Sequence, residues 1–231
     1  MSGDRPSRHG GSTLLLFGAA LALYVLTAAP GLLWGDSADF QASAARADLA
    51  LGVRTYPLYD LLTYGAGRAL PFGTLAYRVT LVSAVFGAAA VAVTFAALLS
   101  MRFSRLAALG ASAALAVSHG LWSQSVVAEV YSLHAFFVAA VLALAAGAGP
   151  FTRRRVLLLG AVLGLGLLHH RTTAFLFPPV LLVLLRRRRE LLRDRALRLA
   201  TAAGAALALA PAAPILLFGG GAASLPASPL D

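Results

Sequence analysis

Long apolar runs, separated by clusters of arginine, constrain this chain more than any other feature of its sequence. The runs cover residues 13–33, 79–100, 106–121, 130–148, 156–168, 173–185 and 199–218. Apolar side chains make up 59% of the 231 residues and charged ones 12%, about half of the charged fraction in a typical soluble domain. A run of about 20 apolar residues can cross a bilayer as a helix. The sequence therefore predicts an all-α membrane protein with about seven transmembrane helices.

The arginines predict how these helices are oriented. If the N-terminus is cytoplasmic, fourteen of the nineteen arginines fall in cytoplasmic segments, as the positive-inside rule requires. They are Arg5, Arg8, Arg102, Arg105, Arg153 to Arg155, Arg186 to Arg189, Arg193, Arg195 and Arg198. This orientation predicts a cytoplasmic N-terminus (1–12), a long outer loop (34–78) and an extracytoplasmic flexible tail (219–231). It also explains the net charge of +10 without nucleic acid as a partner.

The first run and the outer loop complete this picture. Residues 1–29 have the charge and hydropathy pattern of a signal peptide, but the apolar run continues to residue 33, which predicts an uncleaved first helix. In the loop, Leu58, Leu61 and Leu62 beside Asp60 predict a short amphipathic helix on the membrane surface. The chain has no cysteine, so disulfides and thiolate chemistry are excluded.

Two carboxylates, Asp36 and Asp39, stand where the first helix leaves the membrane. Three residues apart, they share one face if the segment is helical, and could together bind a hydroxyl group or a cation. The alternative is that Asp36 caps a helix whose first turn contains Asp39. Their position on the outer side, toward a polar cavity, favours a functional role.

Two further outer segments carry groups that could perform chemistry. Glu129 is one of two glutamates and precedes the run 130–148. Such an acid can simply stabilise the helix dipole, but at membrane depth it more often faces the bundle interior and has a function there. His134 is predicted to be a packed helix histidine. Arg171 follows His169 and His170 and could bind a phosphate group through paired hydrogen bonds, or instead snorkel to the interface. Adjacent histidines diverge on a helix, so no metal site is predicted.

Five separated segments carry a family resemblance. They are WGDSADF at 34–40, YPLY at 56–59, LPFGTLAYRV at 70–79, WSQSVVAEVYSLH at 122–134 and GLLHHRTT at 166–173. In this order they resemble bacterial membrane proteins related to the eukaryotic transmembrane O-mannosyltransferases of the GT-C superfamily. The resemblance implies a polytopic glycosyltransferase of the inner (plasma) membrane, which takes a sugar from a polyprenyl-phosphate carrier on the extracytoplasmic side. It also implies a GT-C-like N-terminal module of seven spans.

The resemblance assigns roles to individual residues. Asp36 matches the family's first acid, Asp39 stands where a glutamate is more usual, and His170 matches the histidine of an Asn-His pair. Together, the residues and the resemblance predict Asp36, Asp39 and Glu129 as catalytic acids, Arg171, His170 and Arg54 as ligands of the donor phosphate, and Tyr131 and Tyr56 beside them. The chain departs from the family before Tyr56, where a shorter Arg54-Thr55 replaces a His-Pro-Pro-Gly element.

Three functions remain open at this point. The first is transfer of a sugar, mannose being the family's example, from a polyprenyl-phosphate donor to a protein or glycan acceptor, with a divalent cation as an optional cofactor that the sequence does not require. The second is a polyprenyl-lipid binder or transporter without catalysis, and the third is a degenerate, truncated scaffold relative. All three have the lipid bilayer as a partner.

Overall fold

The computed structural model describes residues 7–46 and 56–212, which contain helices joined by short connections and no β-strand. They form eleven α-helices and one 3-10 helix. The α-helices are α1 (Ser7–Thr27), α2 (Asp36–Arg46), α3 (Pro57–Ala69), α4 (Leu75–Ser100), α5 (Arg105–Ala116), α6 (His119–Ser125), α7 (Tyr131–Ala146), α8 (Arg153–His169), α9 (Phe177–Arg186), α10 (Arg188–Leu191) and α11 (Arg195–Leu209). The 3-10 helix, Arg171–Leu176, follows α8.

Two of the described helices are long and apolar enough to cross a bilayer. They are the Gly10–Thr27 part of α1 and the whole of α4. The pair α5 and α6, bent by 55° at the break between them, passes the same test as one broken unit. By length and composition the described residues therefore contain two, or at most three, membrane spans of this kind. Helix α7 is apolar but only 16 residues long, which is about 24 Å.

Short polar side chains determine where five of the helices begin. At each of these starts a Ser, Thr or Asp side chain accepts a hydrogen bond from the backbone N–H group three residues later, which satisfies one of the free donors of the first turn. The five caps are Thr74, Ser104, Ser118, Thr152 and Asp194. Each of these five helix starts is therefore set by a side chain of its own segment.

Helix α4 lies at the centre of the fold and packs against α1, α3, α5, α6 and α7. It is buried along most of its length, and small side chains such as Ala84 and Ala88 let its neighbours approach closely. Tyr24 of α1 is fully buried against this surface, and its hydroxyl group donates to the carbonyl oxygen of Ala116 at 2.8 Å. This hydrogen bond ties α1 to the end of α5.

Helices α8 and α11 meet through glycine. A Cβ atom at Gly160 would overlap the Gly204 carbonyl group, and one at Gly164 would overlap the Leu207 carbonyl oxygen. Gly160 and Gly164 form the small-xxx-small pattern that lets two helix backbones touch. The close approach explains why this helix pair packs so extensively although neither helix is long.

The arginines near the α7–α8 turn are part of the packing rather than only solvated. Arg155 donates to the carbonyl oxygens of Leu144 and Gly147, both at 2.7 Å, and therefore satisfies the end of α7. The guanidinium groups of Arg155 and Arg187 lie over the Phe151 ring at 4.4 and 4.8 Å. Arg187 also pairs with Glu190 of α10 at 2.6 Å.

Helices α2 and α3 lie between α1 and α4 in the sequence, and they pack against each other and against α4. The buried side of α3 carries Tyr59, Asp60 and Thr63, whereas Leu61 is 54% exposed. The helix at this place is thus amphipathic with its polar groups toward the protein. This arrangement brings hydroxyl and carboxyl groups of α3 beneath the candidate site.

Candidate active site

The acidic corner begins at a left-handed glycine. Gly35 has a φ of 63°, a conformation that side chains with a Cβ rarely adopt, and α2 starts directly after it. Asp36 is the first residue of α2 and Asp39 lies in the same turn, and both side chains are exposed. Asp36 is therefore not the residue before the helix, where a capping side chain would stand, and its carboxylate remains accessible.

Glu129 lies in the α6–α7 connection, and residues of α3 and α4 hold its backbone in place. The Ser83 hydroxyl group accepts from the backbone N–H group of Glu129 at 3.1 Å and donates to its carbonyl oxygen at 2.9 Å. The hydroxyl groups of Tyr59 and Ser83 lie 2.8 Å apart, and both residues are fully buried. Because the single Ser83 hydrogen goes to the Glu129 carbonyl group, Tyr59 donates to Ser83. This network fixes the position of the Glu129 backbone, from which its side chain extends.

The Glu129 carboxylate meets the start of α2. The buried Ser37 donates to Oε1 of Glu129 at 3.3 Å across 92 residues of sequence. Partial burial raises the pKa of the Glu129 carboxyl group above its ordinary value, the Ser37 hydrogen bond opposes this shift, and the negative charge of Asp36 adds to it. Asp36 and Glu129 are thus electrostatically coupled acids from two distant segments.

Tyr56 stands at the centre of the predicted residues. Its ring stacks on His170 with centroids 5.6 Å apart, and Phe40 meets its edge at 5.8 Å. Burial raises the pKa of the Tyr56 hydroxyl group first of all, Tyr131, Asp36 and Glu129 raise it further, and the positive charge of Arg171 lowers it. The charges of these four side chains therefore all act on the Tyr56 hydroxyl group.

The two neighbouring histidines have different surroundings. His169 ends α8 and is buried, and its Nε2 lies 3.0 Å from the carbonyl oxygen of Val130, directly after Glu129. His170 is half-buried among the rings of Tyr56, Tyr131 and His134, at 5.6, 5.7 and 4.7 Å. In the part of the chain that the structure describes, no group of three or more His, Asp or Glu side chains is arranged to hold a metal ion.

Six of the predicted site residues come together in this way. They are Asp36, Tyr56, Glu129, Tyr131, His170 and Arg171, from α2, the residue before α3, the α6–α7 connection, the start of α7 and the α8 turn. Asp39 shares the first turn of α2, and within the described ranges no hydrogen bond or ion pair links it to this group. Arg54 lies outside the described residues.

The residues that support the acids were not predicted from the sequence. Ser37, Tyr59 and Ser83 hold Glu129, and Thr172 with His134 contacts His170. Ser37 and Tyr59 lie inside the recognised segments, which was a usable signal. Ser83 lies inside an apolar run, where one serine has no pattern that distinguishes it from a helix-packing residue.

Comparisons with known proteins match the stretch of chain that contains this candidate site. Residues 36–193 match the family model described as the protein O-mannosyl-transferase TMEM260 N-terminal domain, and the match begins at Asp36 itself. The Mus musculus protein named "Protein O-mannosyl-transferase TMEM260" is 32% identical over 148 residues, which is 62% of this chain and 20% of that protein. The chain thus spans about a fifth of the length of this curated relative. No solved structure matches the chain.

Proposed function

Because the chain belongs to the family of the protein O-mannosyl-transferase TMEM260 N-terminal domain, we propose that it is a membrane glycosyltransferase with a polyprenyl-phosphate sugar donor. The acceptor is a hydroxyl group on the extracytoplasmic side. The relative's name supports mannose as the sugar and a protein as the acceptor. The observation that carries the proposal is that the charges of Asp36, Glu129 and Arg171 all act on one tyrosine, Tyr56, whose ring stacks on His170.

The proposed reaction needs a base at one end and a cation at the other. The acceptor hydroxyl oxygen forms a bond to the anomeric carbon of the sugar while the bond from that carbon to the phosphate oxygen breaks. Asp36 takes the hydroxyl proton, and its exposed carboxylate is open to an acceptor arriving from solvent. The leaving polyprenyl phosphate keeps the electron pair, and Arg171 with His170 stabilises its charge.

Glu129 and Asp39 assist Asp36 in this proposal. Glu129 is coupled to Asp36 and is the more buried of the two, so its carboxyl group keeps its proton to a higher pH than an exposed glutamate. A proton shared near Asp36 would help that carboxylate to orient the acceptor. If a divalent cation takes part, Asp39 and Glu129 would bind it. Arg54 would join Arg171 as a ligand of the donor phosphate.

An apolar groove supports a lipid-linked donor. It has a volume of about 200 Å³ and lies between residues 81–86 of α4 and residues 62–70, which are the second half of α3 and the residue after it. Its wall includes Val82, which is adjacent to Ser83, and Leu62, which is three residues from Tyr59. An isoprenoid chain bound in this groove would lie along α3, the helix that directly follows Tyr56. Burial of apolar chain surface contributes about 0.8 kcal/mol for each methylene group.

The proposed topology has seven spans with the N-terminus in the cytoplasm. The shorter helices α7, α8 and α9 then cross or dip into the membrane together with their neighbours. This topology would place the arginines of the α7–α8 turn and of α10 on the cytoplasmic side, and Tyr56, Glu129 and His170 on the outer side. The proposed location is the cell inner (plasma) membrane.

The test is sugar transfer by the full chain from a radiolabelled polyprenyl-phosphate sugar, with product analysis. We expect Asp36→Asn to abolish formation of the glycoside while membrane insertion and expression stay normal. Asp39→Asn is the matched control from the same helical turn and is expected to retain more activity. Full activity of Asp36→Asn would refute the assignment. Binding or movement of the donor without a new glycoside would instead support a lipid binder or transporter.

A further inference from the structure

The hydrogen bonds of Thr172 determine where His170 carries its proton. Nδ1 of His170 lies 3.3 Å from the backbone nitrogen of Thr172 and 2.7 Å from its Oγ1. The backbone N–H group can only donate, and through it His170 caps the 3-10 helix. Nδ1 is therefore an unprotonated acceptor. In the neutral ring the proton must then be on Nε2.

The same hydroxyl group connects His170 to a second histidine. Thr172 has one hydroxyl hydrogen, and that hydrogen points to Nδ1 of His170. Oγ1 of Thr172 must then accept from Nε2 of His134, which lies 3.0 Å away. Nδ1 of His134 is buried and has no partner among the described residues, in agreement with an unprotonated nitrogen. The three side chains thus form a chain of donors that ends at His170.

We infer that Thr172 and His134 are positioning residues that hold His170 in the tautomer with Nε2 protonated, so that Nε2–H donates to an anionic oxygen. The described structure shows no partner for this nitrogen, and the ring is only half-buried. Its neighbours are the Tyr56 ring, on which it stacks, and Arg171, the next residue. The ligand class is a phosphate ester, and this assignment rests on the proposed function.

The consequence for catalysis is a neutral donor beside a cation. Burial lowers the pKa of His170, so the ring stays uncharged at neutral pH. A neutral Nε2–H group needs no prior protonation, and it cannot act as a base through Nδ1, because that nitrogen is occupied. The ring would stabilise the charge that develops on the leaving phosphate while Arg171 supplies the positive charge.

The tautomer is tested directly by NMR of the full chain labelled with ¹⁵N in its five histidines. His170→Gln identifies the resonances of His170. We expect an unprotonated Nδ1 and a protonated Nε2 in the wild type and in Thr172→Ser. Thr172→Val removes the 2.7 Å hydroxyl contact at nearly constant volume but keeps the longer backbone N–H contact at 3.3 Å, so we expect the fraction of His170 protonated at Nε2 to fall without reaching zero. A protonated Nδ1 in the wild type, or the same Nε2-protonated fraction in Thr172→Val as in the wild type, overturns the inference.

The ligand is tested with geranyl phosphate as the probe and geraniol as the control without phosphate. We expect geranyl phosphate alone to shift the Nε2 resonance of His170. In the transfer assay, Thr172→Val should lower kcat about twofold to tenfold, the range of one neutral hydrogen bond, and leave KM for the donor nearly unchanged. Thr172→Ser should restore kcat.

The outcomes separate this inference from the proposed function. If the chain transfers sugar but the Nε2 resonance of His170 does not shift with geranyl phosphate, the inference is overturned and the proposed glycosyltransferase activity is retained. If the Nε2 resonance shifts with geranyl phosphate but the chain forms no glycoside, His170 donates a hydrogen bond to the phosphate as inferred, and the proposed sugar transfer is refuted. Equal kcat values for Thr172→Val and Thr172→Ser overturn the positioning role of the hydroxyl group.

Discussion

Replacing Ser83 with alanine removes the hydroxyl group that joins α3, α4 and the Glu129 backbone. Three hydrogen bonds are lost together, one to Tyr59 and two to Glu129. The Tyr59 hydroxyl group is fully buried and loses its acceptor, which costs about 1–3 kcal/mol, and the two backbone groups of the half-buried Glu129 lose less because water can reach them. We expect the free energy of unfolding to fall by about 2–4 kcal/mol.

The chain offers a matched control for this variant. Ser112 of α5 is also fully buried, but its hydroxyl group has no hydrogen-bond partner within the described ranges. Ser112→Ala should therefore change stability by less than about 0.5 kcal/mol or increase it. Thermal unfolding in detergent, followed by circular dichroism, should give a Tm roughly 5–15 °C lower for Ser83→Ala than for Ser112→Ala.

A double-mutant cycle assigns the loss to the network. Tyr59→Phe alone removes one donor and leaves both Ser83–Glu129 hydrogen bonds, so it should cost about 1 kcal/mol. In the double variant the two losses should be less than additive, with a coupling energy of about 0.5–2 kcal/mol. Sugar transfer should fall in Ser83→Ala because Glu129 loses its position. If Ser83→Ala were as stable and active as Ser112→Ala, the proposed role of Ser83 in holding the Glu129 backbone would be refuted.

Two further predictions concern the glycine contact and the buried acid. Gly160→Ala should lower stability by about 1–3 kcal/mol because its Cβ meets the Gly204 backbone, whereas Gly110→Ala has open space around it and should be neutral or stabilising; equal Tm values for the two would argue against the contact. Glu129→Gln should become more stable relative to the wild type as pH rises from about 4.5 to 7. The raised pKa of Glu129 means that the folded chain favours the protonated acid, whose contribution is present below the ordinary pKa of 4.5 and is lost above the folded value. Unfolding measured across this pH range should show a constant difference between the two proteins if the reasoning is wrong.

Local sequence was sufficient for the helices and for their starts. Apolar runs with few charges favour helix in a membrane because every backbone group must find its partner within the segment. Thr74, Ser104 and Asp194 then mark where helices begin, since each side chain caps its own first turn. Asp36 and Glu129 were also recognisable, because a carboxylate at a membrane boundary is rare unless it has a use.

The lengths of the helices were less accessible from the sequence. The run 173–185 was expected to be one helix, but the structure begins it with the 3-10 helix Arg171–Leu176 and continues with α9. The run 106–121 is divided between α5 and α6, with a bend of 55°. Hydropathy does not register such breaks, because a capping residue such as Ser118 is compatible with either a continuous or a broken helix.

The arrangement of the site was decided by tertiary structure alone. The bond between Ser37 and Glu129 closes a separation of 92 residues, and Ser83 acts on Glu129 only because α4 passes beneath it. Likewise, the direction of His170 depends on the turn after α8 and on His134 from α7. The sequence by itself determined which groups could carry the chemistry, because their types and local positions are readable along the chain. Which of them meet was determined by helix packing, because contacts between distant segments depend on how complete helix surfaces fit together.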